Sequence, residues 1–376
     1  MTQARFGIAL WLLVGVGCGD DASVEDAAVV RDTSTSDASQ GEDAGPALPD
    51  ADITADATVR DAGFDVIEVD AGVRDPGTDG DGDYVGSPPY ERAPELSVPD
   101  DVERGNVYRF SMDSADSEIY PGLTGSYTRD LAVYVPNAYV NGRAAPFMVV
   151  QDGGGYVDRV TAALDTMSAA GDLPPIVAIF INSGGGDGRG SQRGLEYDTV
   201  SDVYVTFIES EVLPRVLTHP ELVADYDDFQ LTSDPEGRGS MGCSSGGAAA
   251  FTMGWFRPDL YRRILTYSGT FVNQAPDDTY PASAWEYHES LIAEADPKPL
   301  RVFLQVGEND LNLDGRFGDD QHDWVAANRA MAAAFAAQDY HYRFVFSEGA
   351  RHCDGGVIGQ TLPETLRWLW QGYPIN

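Results

Sequence analysis

The run Arg238-Gly239-Ser240-Met241-Gly242-Cys243-Ser244-Ser245-Gly246-Gly247 constrains the fold of this chain more than any other stretch. Within it, Gly242-Cys243-Ser244-Ser245-Gly246 matches G-x-S-x-G, in which a serine tops a strained strand-to-helix turn and glycines let the backbone fold tightly beneath it. No other serine has glycine both two residues before and two residues after it. The pentapeptide alone is weak, because glycine and serine populate chemically idle turns freely. Its flanks strengthen it. Gly246 to Phe256 reads as a helix of small residues that pack closely on a sheet, stopped at Arg257-Pro258. Arg263-Ile264-Leu265-Thr266-Tyr267-Ser268-Gly269 then reads as a short buried strand.

The rest of the chain from about residue 105 supplies the sheet. Val107 to Met112 and Arg129 to Pro136 alternate, as antiparallel strands near an exposed edge do. Phe147 to Gln151 and Ile176 to Ile181 are continuous apolar runs, the pattern of strands covered on both faces, and Asp158 to Ala170 between them is amphipathic. Further helices are expected at Ser201 to Leu217, near Ser283 to Ile292, at Trp324 to Ala337 and near Pro363 to Trp370. Further strands are expected just before Ser244, at Leu300 to Val306 and at Tyr342 to Phe346. Repeated strand-helix units predict an α/β domain with a doubly wound, mostly parallel sheet and helices on both faces. Chemistry in such sheets lies at the carboxyl ends of the strands.

The front of the chain has a different character. Residues 1–17 hold Arg5 and an apolar run from Phe6 to Gly17, the pattern of an export signal too short for a lasting membrane span. Cys18 follows small residues, which resembles a bacterial lipoprotein signal with Cys18 as the lipid-bearing first residue, although Gly15 stands where leucine is usual. The expected location is the cell envelope, with secretion as the alternative. Residues 18–88 carry nineteen acidic and three basic residues and few large apolar ones, so they are expected to form a disordered acidic tether ahead of a domain at 89–376. Within the tether, Asp79-Gly80-Asp81-Gly82-Asp83 opens like a calcium loop but lacks the closing glutamate and flanking helices, so it reads as solvated linker. Forty-two acidic against twenty basic residues remain beyond the tether, which argues against a nucleic-acid partner.

Two further strand ends carry chemistry. Gly307-Glu308-Asn309-Asp310 follows one predicted strand, and Ser347 to His352 follows the next. The order Ser244, Asp310, His352 is that of the α/β-hydrolase triad, in which imidazole takes the serine proton and a carboxylate fixes the imidazole tautomer. Glu308 and Asp314 are alternative acids. His322 and His341 read as structural. The backbone N–H of Ser245, with Gly153 or Gly154 of Asp152-Gly153-Gly154-Gly155, supplies candidate oxyanion donors. Gly184 to Gly190 lacks the Gly-Lys-Ser/Thr of a phosphate loop. It is expected to border the site, with Arg189, Arg193 and Glu196 as candidate walls, unless Arg193 and Glu196 merely pair.

Gln151 to Tyr156, Asn182 to Gly186, Gln192 to Asp198, the Ser244 stretch, Gly307 to Asp310 and Thr361 to Trp370 together resemble the esterase D and enterochelin esterase group of α/β-hydrolases. The resemblance implies carboxylic-ester hydrolysis with no metal or other cofactor, on a small-molecule ester of siderophore, aryl or feruloyl, or short-chain acyl type. Enterochelin esterases carry a larger N-terminal β domain that this chain does not show, which weakens the siderophore expectation. Cys243 and Cys353 beside Ser244 and His352 resemble the arrangement of tannases and fungal feruloyl esterases, which implies a Cys243–Cys353 disulfide. An acyltransferase with the same triad, or a surface binding protein on a hydrolase fold, are the competing readings. The only membrane contact expected is through a lipid at Cys18.

Overall fold

The computed structural model describes residues 76–275 and 282–375. The residues expected to form the export signal, Cys18 and most of the tether lie outside this range. Nine strands form one sheet: β1 (Gly82–Gly86), β2 (Asn106–Asp113), β3 (Thr128–Val135), β4 (Phe147–Gln151), β5 (Val177–Ile181), β6 (Arg238–Cys243), β7 (Arg263–Tyr267), β8 (Arg301–Asn309) and β9 (His341–Arg351). Their spatial order is β1-β9-β8-β7-β6-β4-β5-β3-β2. Only the β2/β3 and β3/β5 pairings are antiparallel, as the alternating sequences near residues 107 and 129 predict.

The helices are α1 (Val157–Ala169), α2 (Gln192–Tyr197), α3 (Val203–Phe207), α4 (Leu213–Leu217), α5 (Pro220–Asp225), α6 (Ser245–Phe256), α7 (Ile292–Glu294), α8 (Trp324–Ala337) and α9 (Gly355–Leu369). They cover both faces, and the central strands show why. Met148 and Val150 of β4 pack into the layer with α1 and α9, while Phe147 and Val149 pack into the layer with α3 and α4. Side chains alternate between faces along a strand, so a run apolar at every position needs cover on both sides. A third cluster joins Phe251 and Trp255 of α6 to Met331 and Phe335 of α8 over Val302 and Leu304 of β8. The fold is that of the α/β-hydrolases.

Three boundaries differ from the sequence reading. Residues 82–86, assigned to the tether, form β1 and pair in parallel with β9 from Gly82↔Arg343 to Gly86↔Ser347. Asp81 is anchored rather than solvated: Trp368 Nε1 donates to its Oδ1 at 3.0 Å and His341 Nδ1 lies 2.9 Å from its Oδ2. Without β1, β9 would present an open edge. The predicted helix at 201–217 contains a π-helical turn, Ile208–Val212, between α3 and α4. Finally, α9 begins at Gly355 and runs through Pro363. Proline removes the hydrogen bond to the carbonyl four residues earlier; here that carbonyl, of Gly359, instead accepts from the N–H of Ala93 at 3.0 Å.

Candidate active site

Ser244 stands between β6 and α6 with φ 58° and ψ −132°, a conformation that a residue with a side chain adopts only under constraint. The constraint is visible in the two motif glycines. A Cβ on Gly242 would lie 2.2 Å from the carbonyl oxygen of Gly246, and one on Gly246 would lie 3.2 Å from both Asp152 Oδ2 and Gln151 Cβ. The turn closes only because Gly242 lacks a side chain, and at Gly246 a side chain would have to push Asp152 and Gln151 aside. Ser244 is also tied to the next strand end: its N–H donates to Tyr267 O at 3.0 Å and its carbonyl accepts from Thr270 N–H at 3.1 Å.

Asp310 follows β8 directly and His352 follows β9. The imidazole Nδ1–H donates to Asp310 Oδ1 at 2.5 Å, with the Asp310 side chain fully buried. Asp310 Oδ2 accepts from Ser268 Oγ at 2.6 Å, and Oδ1 also accepts from Leu311 N–H at 2.7 Å. Burial by itself would raise the Asp310 pKa, but the hydrogen bond and charge of His352, with the Ser268 and Leu311 donors, outweigh it and hold the carboxyl below its ordinary value. The alternative acids are engaged elsewhere. Glu308 accepts from Gly349 N–H at 2.7 Å and Asp314 from His322 N–H at 2.7 Å. Among the described residues no hydrogen bond joins Ser244 to His352; Ser244 Oγ instead lies 3.3 Å from Thr270 Oγ1.

Cys243 and Cys353 form a disulfide with Cα atoms 6.1 Å apart. It joins the residue before the serine to the residue after the histidine.

The loop after β4 approaches the same end of the sheet. Asp152 has φ 51° and ψ 36°, and a Cβ on Gly153 would meet Phe180 Cβ at 2.5 Å. Gly154 N–H donates to Asn182 Oδ1 at 3.0 Å, whereas the Gly153 N–H has no hydrogen-bond acceptor among the described residues. Ser245 is the first residue of α6, where the N–H has no partner within the helix.

The candidate walls separate. Arg193 Nη2 donates to Asp152 Oδ2 at 2.8 Å and Nη1 to Asp187 Oδ1 at 2.8 Å, so Arg193 clamps the loop that precedes Gly153. Arg189 is exposed in the glycine-rich loop. Glu196 is not a wall. It is fully buried against Arg129, with Nη1–Oε2 2.6 Å, and accepts from Tyr127 Oη at 2.6 Å and Gln192 Nε2 at 2.8 Å. Its carboxylate is consumed by that cluster, and its partner is Arg129 rather than the Arg193 that sequence proximity suggested.

Asp198, at the end of α2, is fully buried. Desolvation pushes its pKa up to about 7 despite the Ser245 hydroxyl, the Arg193 charge and the amide of Gln274. Gln274 Nε2 donates to its Oδ2 at 3.1 Å, whereas Oδ1 has no partner among the described residues.

Sequence reading missed three residues here. Ser268, with φ 45°, donates to Asp310 and accepts from Cys353 N–H at 3.0 Å. Thr270 meets Ser244, and Trp324 Nε1 donates to Thr270 Oγ1 at 3.2 Å. The available signal was position: Ser268 and Thr270 immediately follow a buried strand, as the triad residues do.

The pattern of the esterase family, described as "Putative esterase", matches residues 126–355. The iron(III) enterobactin esterase of Dickeya dadantii (strain 3937) is 28% identical over 177 residues, which is 46% of this chain and 35% of that protein. The chain thus spans about a third of the length of that curated relative. Among solved structures, the ferric enterobactin esterase of Salmonella typhimurium superposes with TM-score 0.52 and 21% identity over 72% of this chain and 60% of that one. A ferulic acid esterase gives TM-score 0.53 and 17% identity over 72% and 99%. A third, the ferulic acid esterase of Anaeromyces mucronatus, gives 0.51 and 13% over 76% and 97%. These structural likenesses speak to the fold; the family match covers more than half of the chain, from just before β3 to the loop that carries His352, and the chain therefore belongs to this esterase family.

Proposed function

We propose that this chain is a serine carboxylic-ester hydrolase that works through an acyl-enzyme. Ser244 is the nucleophile, His352 the general base and then acid, and Asp310 the carboxylate that holds the imidazole tautomer and stabilises its charged form. Gly153 and Ser245 N–H groups receive the oxyanion. The observation that carries this reading is the Asp310–His352 hydrogen bond of 2.5 Å between the ends of β8 and β9, on the same edge of the sheet as the Ser244 turn at the end of β6. It leaves Nε2 of His352 as the imidazole nitrogen that accepts the serine proton. In the resting enzyme such nucleophile-to-base contacts are often long and tighten only with substrate bound.

The relatives are named an iron(III) enterobactin esterase and a ferulic acid esterase, which supports esters of siderophore or aryl and feruloyl type, and short-chain acyl esters complete the proposed range. A fluorophosphonate probe tests the assignment directly. Labelling that maps to Ser244 and disappears in Ser244→Ala, with hydrolysis of aryl esters lost in the same variant, is expected. A folded protein that the probe does not modify would sink it.

We also propose export through residues 1–17 with lipid on Cys18, which lies outside the described residues. No described helix is long and apolar enough to cross a membrane. Mass spectrometry of the mature N-terminus tests this proposal. A diacylglyceryl adduct at Cys18 is expected, and an unprocessed Met1 or cleavage beyond Cys18 would reject it.

A further inference from the structure

One aromatic residue touches the surroundings of all three proposed triad members. Trp324 opens α8, and its N–H donates to Leu311 O at 3.0 Å, beside Asp310. Its ring stands edge-on to that of His352, with centroids 6.0 Å apart and planes at 87°. Its indole Nε1–H donates to Thr270 Oγ1, and that oxygen is 3.3 Å from Ser244 Oγ. Trp324 and Thr270 are both buried, at 3% and 1% exposure.

The direction of the Thr270–Ser244 contact follows from counting hydrogens. Indole nitrogen is a donor only, so Thr270 Oγ1 accepts from Trp324 and keeps its own hydrogen to give. A buried hydroxyl that gives its hydrogen to nothing is disfavoured. Among the described residues, the other partner of Thr270 Oγ1 is Ser244 Oγ. Thr270 therefore donates to Ser244, and the Trp324 donation polarises it toward doing so.

We propose that Thr270, polarised by Trp324, is a further catalytic residue that directs the Ser244 proton to His352; this rests on the triad reading above. A serine oxygen that accepts from Thr270 keeps its own hydrogen for the imidazole. As attack proceeds, that proton passes to His352 Nε2, a lone pair of Ser244 Oγ forms the bond to the ester carbon, and the carbonyl π pair moves onto the carbonyl oxygen. Negative character on Ser244 Oγ before the new bond is complete strengthens the hydrogen bond from Thr270. Trp324 acts only through Thr270 and by packing His352, so it is a positioning residue.

The test uses the whole protein, p-nitrophenyl acetate as substrate and a fluorophosphonate as a probe of Ser244. Thr270→Val removes the hydroxyl and keeps the shape; Thr270→Ser restores the hydroxyl; Trp324→Phe keeps an aromatic ring beside His352 and removes the N–H. Thr270→Val is expected to lower kcat and the labelling rate by about 10-fold or more with KM within about twofold, the loss of one hydrogen bond that strengthens as the transition state is approached and does not touch the substrate. Thr270→Ser is expected to recover most of the rate. Trp324→Phe is expected to lose several-fold alone and nothing further on top of Thr270→Val, because it acts through the hydroxyl. Thermal unfolding of each variant verifies the fold, and Thr270→Ala, which also lacks the hydroxyl, serves if Thr270→Val does not fold: Trp324→Phe costing as much on the Ala variant as on the wild type would refute the coupling. Thr270→Val with wild-type kcat and labelling rate would overturn the proposal and leave the triad standing. A wild-type protein with neither labelling nor hydrolysis would overturn both.

Discussion

Cys243 and Cys353 are covalently joined across 110 residues of sequence, and their chain neighbours are Ser244 and His352. The bond fixes the spacing between the turn that carries the nucleophile and the loop that carries the base. Cys353 itself lies in unusual backbone, at φ 50°, with its N–H on Ser268 Oγ, whereas Cys243 ends the regular strand β6 directly before Ser244.

Replacing both cysteines by alanine should therefore affect stability and turnover together. Closing a loop of this size restricts the unfolded chain, and removal of such a link costs about 2–5 kcal/mol. A lower denaturation midpoint is expected in chemical unfolding, and a fall in kcat larger than the change in KM is expected in steady-state kinetics. Unchanged values in both would show that the link constrains neither loop.

Asp310→Asn should leave the Ser244 turn intact and lower kcat on the order of 10³-fold or more, because the amide does not hold the productive imidazole tautomer. The carboxyl also links folding to pH. Its folded pKa lies below the ordinary value of 3.8, so its contribution to stability is present above pH 3.8 and is lost as pH falls through the lower folded value. Urea midpoints of wild type and Asp310→Asn between pH 6 and pH 2.5 should converge toward the acid end. Parallel curves would count against the linkage.

Asp198 has the opposite sign. Its folded pKa of about 7 lies above the ordinary 3.8, so the fold prefers the protonated carboxyl. That contribution is fully present below pH 3.8 and is lost as pH rises through about 7. Asp198→Asn, which is neutral throughout, should melt higher than wild type at pH 8, with the gap closing toward pH 5. A gap independent of pH would show that Asp198 does not titrate with folding.

Gly242→Ala should fail where Gly155→Ala does not. A Cβ at Gly242 would press on the Gly246 carbonyl at 2.2 Å, whereas one at Gly155 would have no neighbour within 4 Å. Overpacking of this kind costs about 1–3 kcal/mol, and here it opens the Ser244 turn. Loss of fluorophosphonate labelling is expected in the first variant and near-normal labelling in the second. Equal behaviour of the two would contradict the tight-turn account.

What the sequence made legible was what it encodes locally. Phe147 to Gln151 and Ile176 to Ile181 announce two-sided burial by composition alone, and Gly242 and Gly246 announce a close backbone approach. Distant partners were hidden. Gly82-Asp83-Tyr84-Val85-Gly86 has no apolar pattern and becomes a strand only because β9, some 260 residues later, offers an edge. Pro363 argued for a helix start, yet the carbonyl it frees is taken by Ala93, which no local rule foresees. Glu196 reads in the sequence as a site wall or as a partner of the nearby Arg193, whereas its buried partner is Arg129, 67 residues earlier. Thr270 and Trp324, 54 residues apart, acquire meaning only when they touch.

The five residues of β1 bear on how the protein can be trimmed. A chain shortened to begin at residue 89 would lose the ladder from Gly82 to Gly86 and the Asp81 anchor to Trp368 and His341. The outer side of β9 would then be a bare row of peptide groups, a template on which a second molecule can zip itself. The cut would spare the far end of β9, where Arg351 pairs with Asn309 and His352 is held by Asp310, so such a shortened protein would clump through its edge with its base still in place.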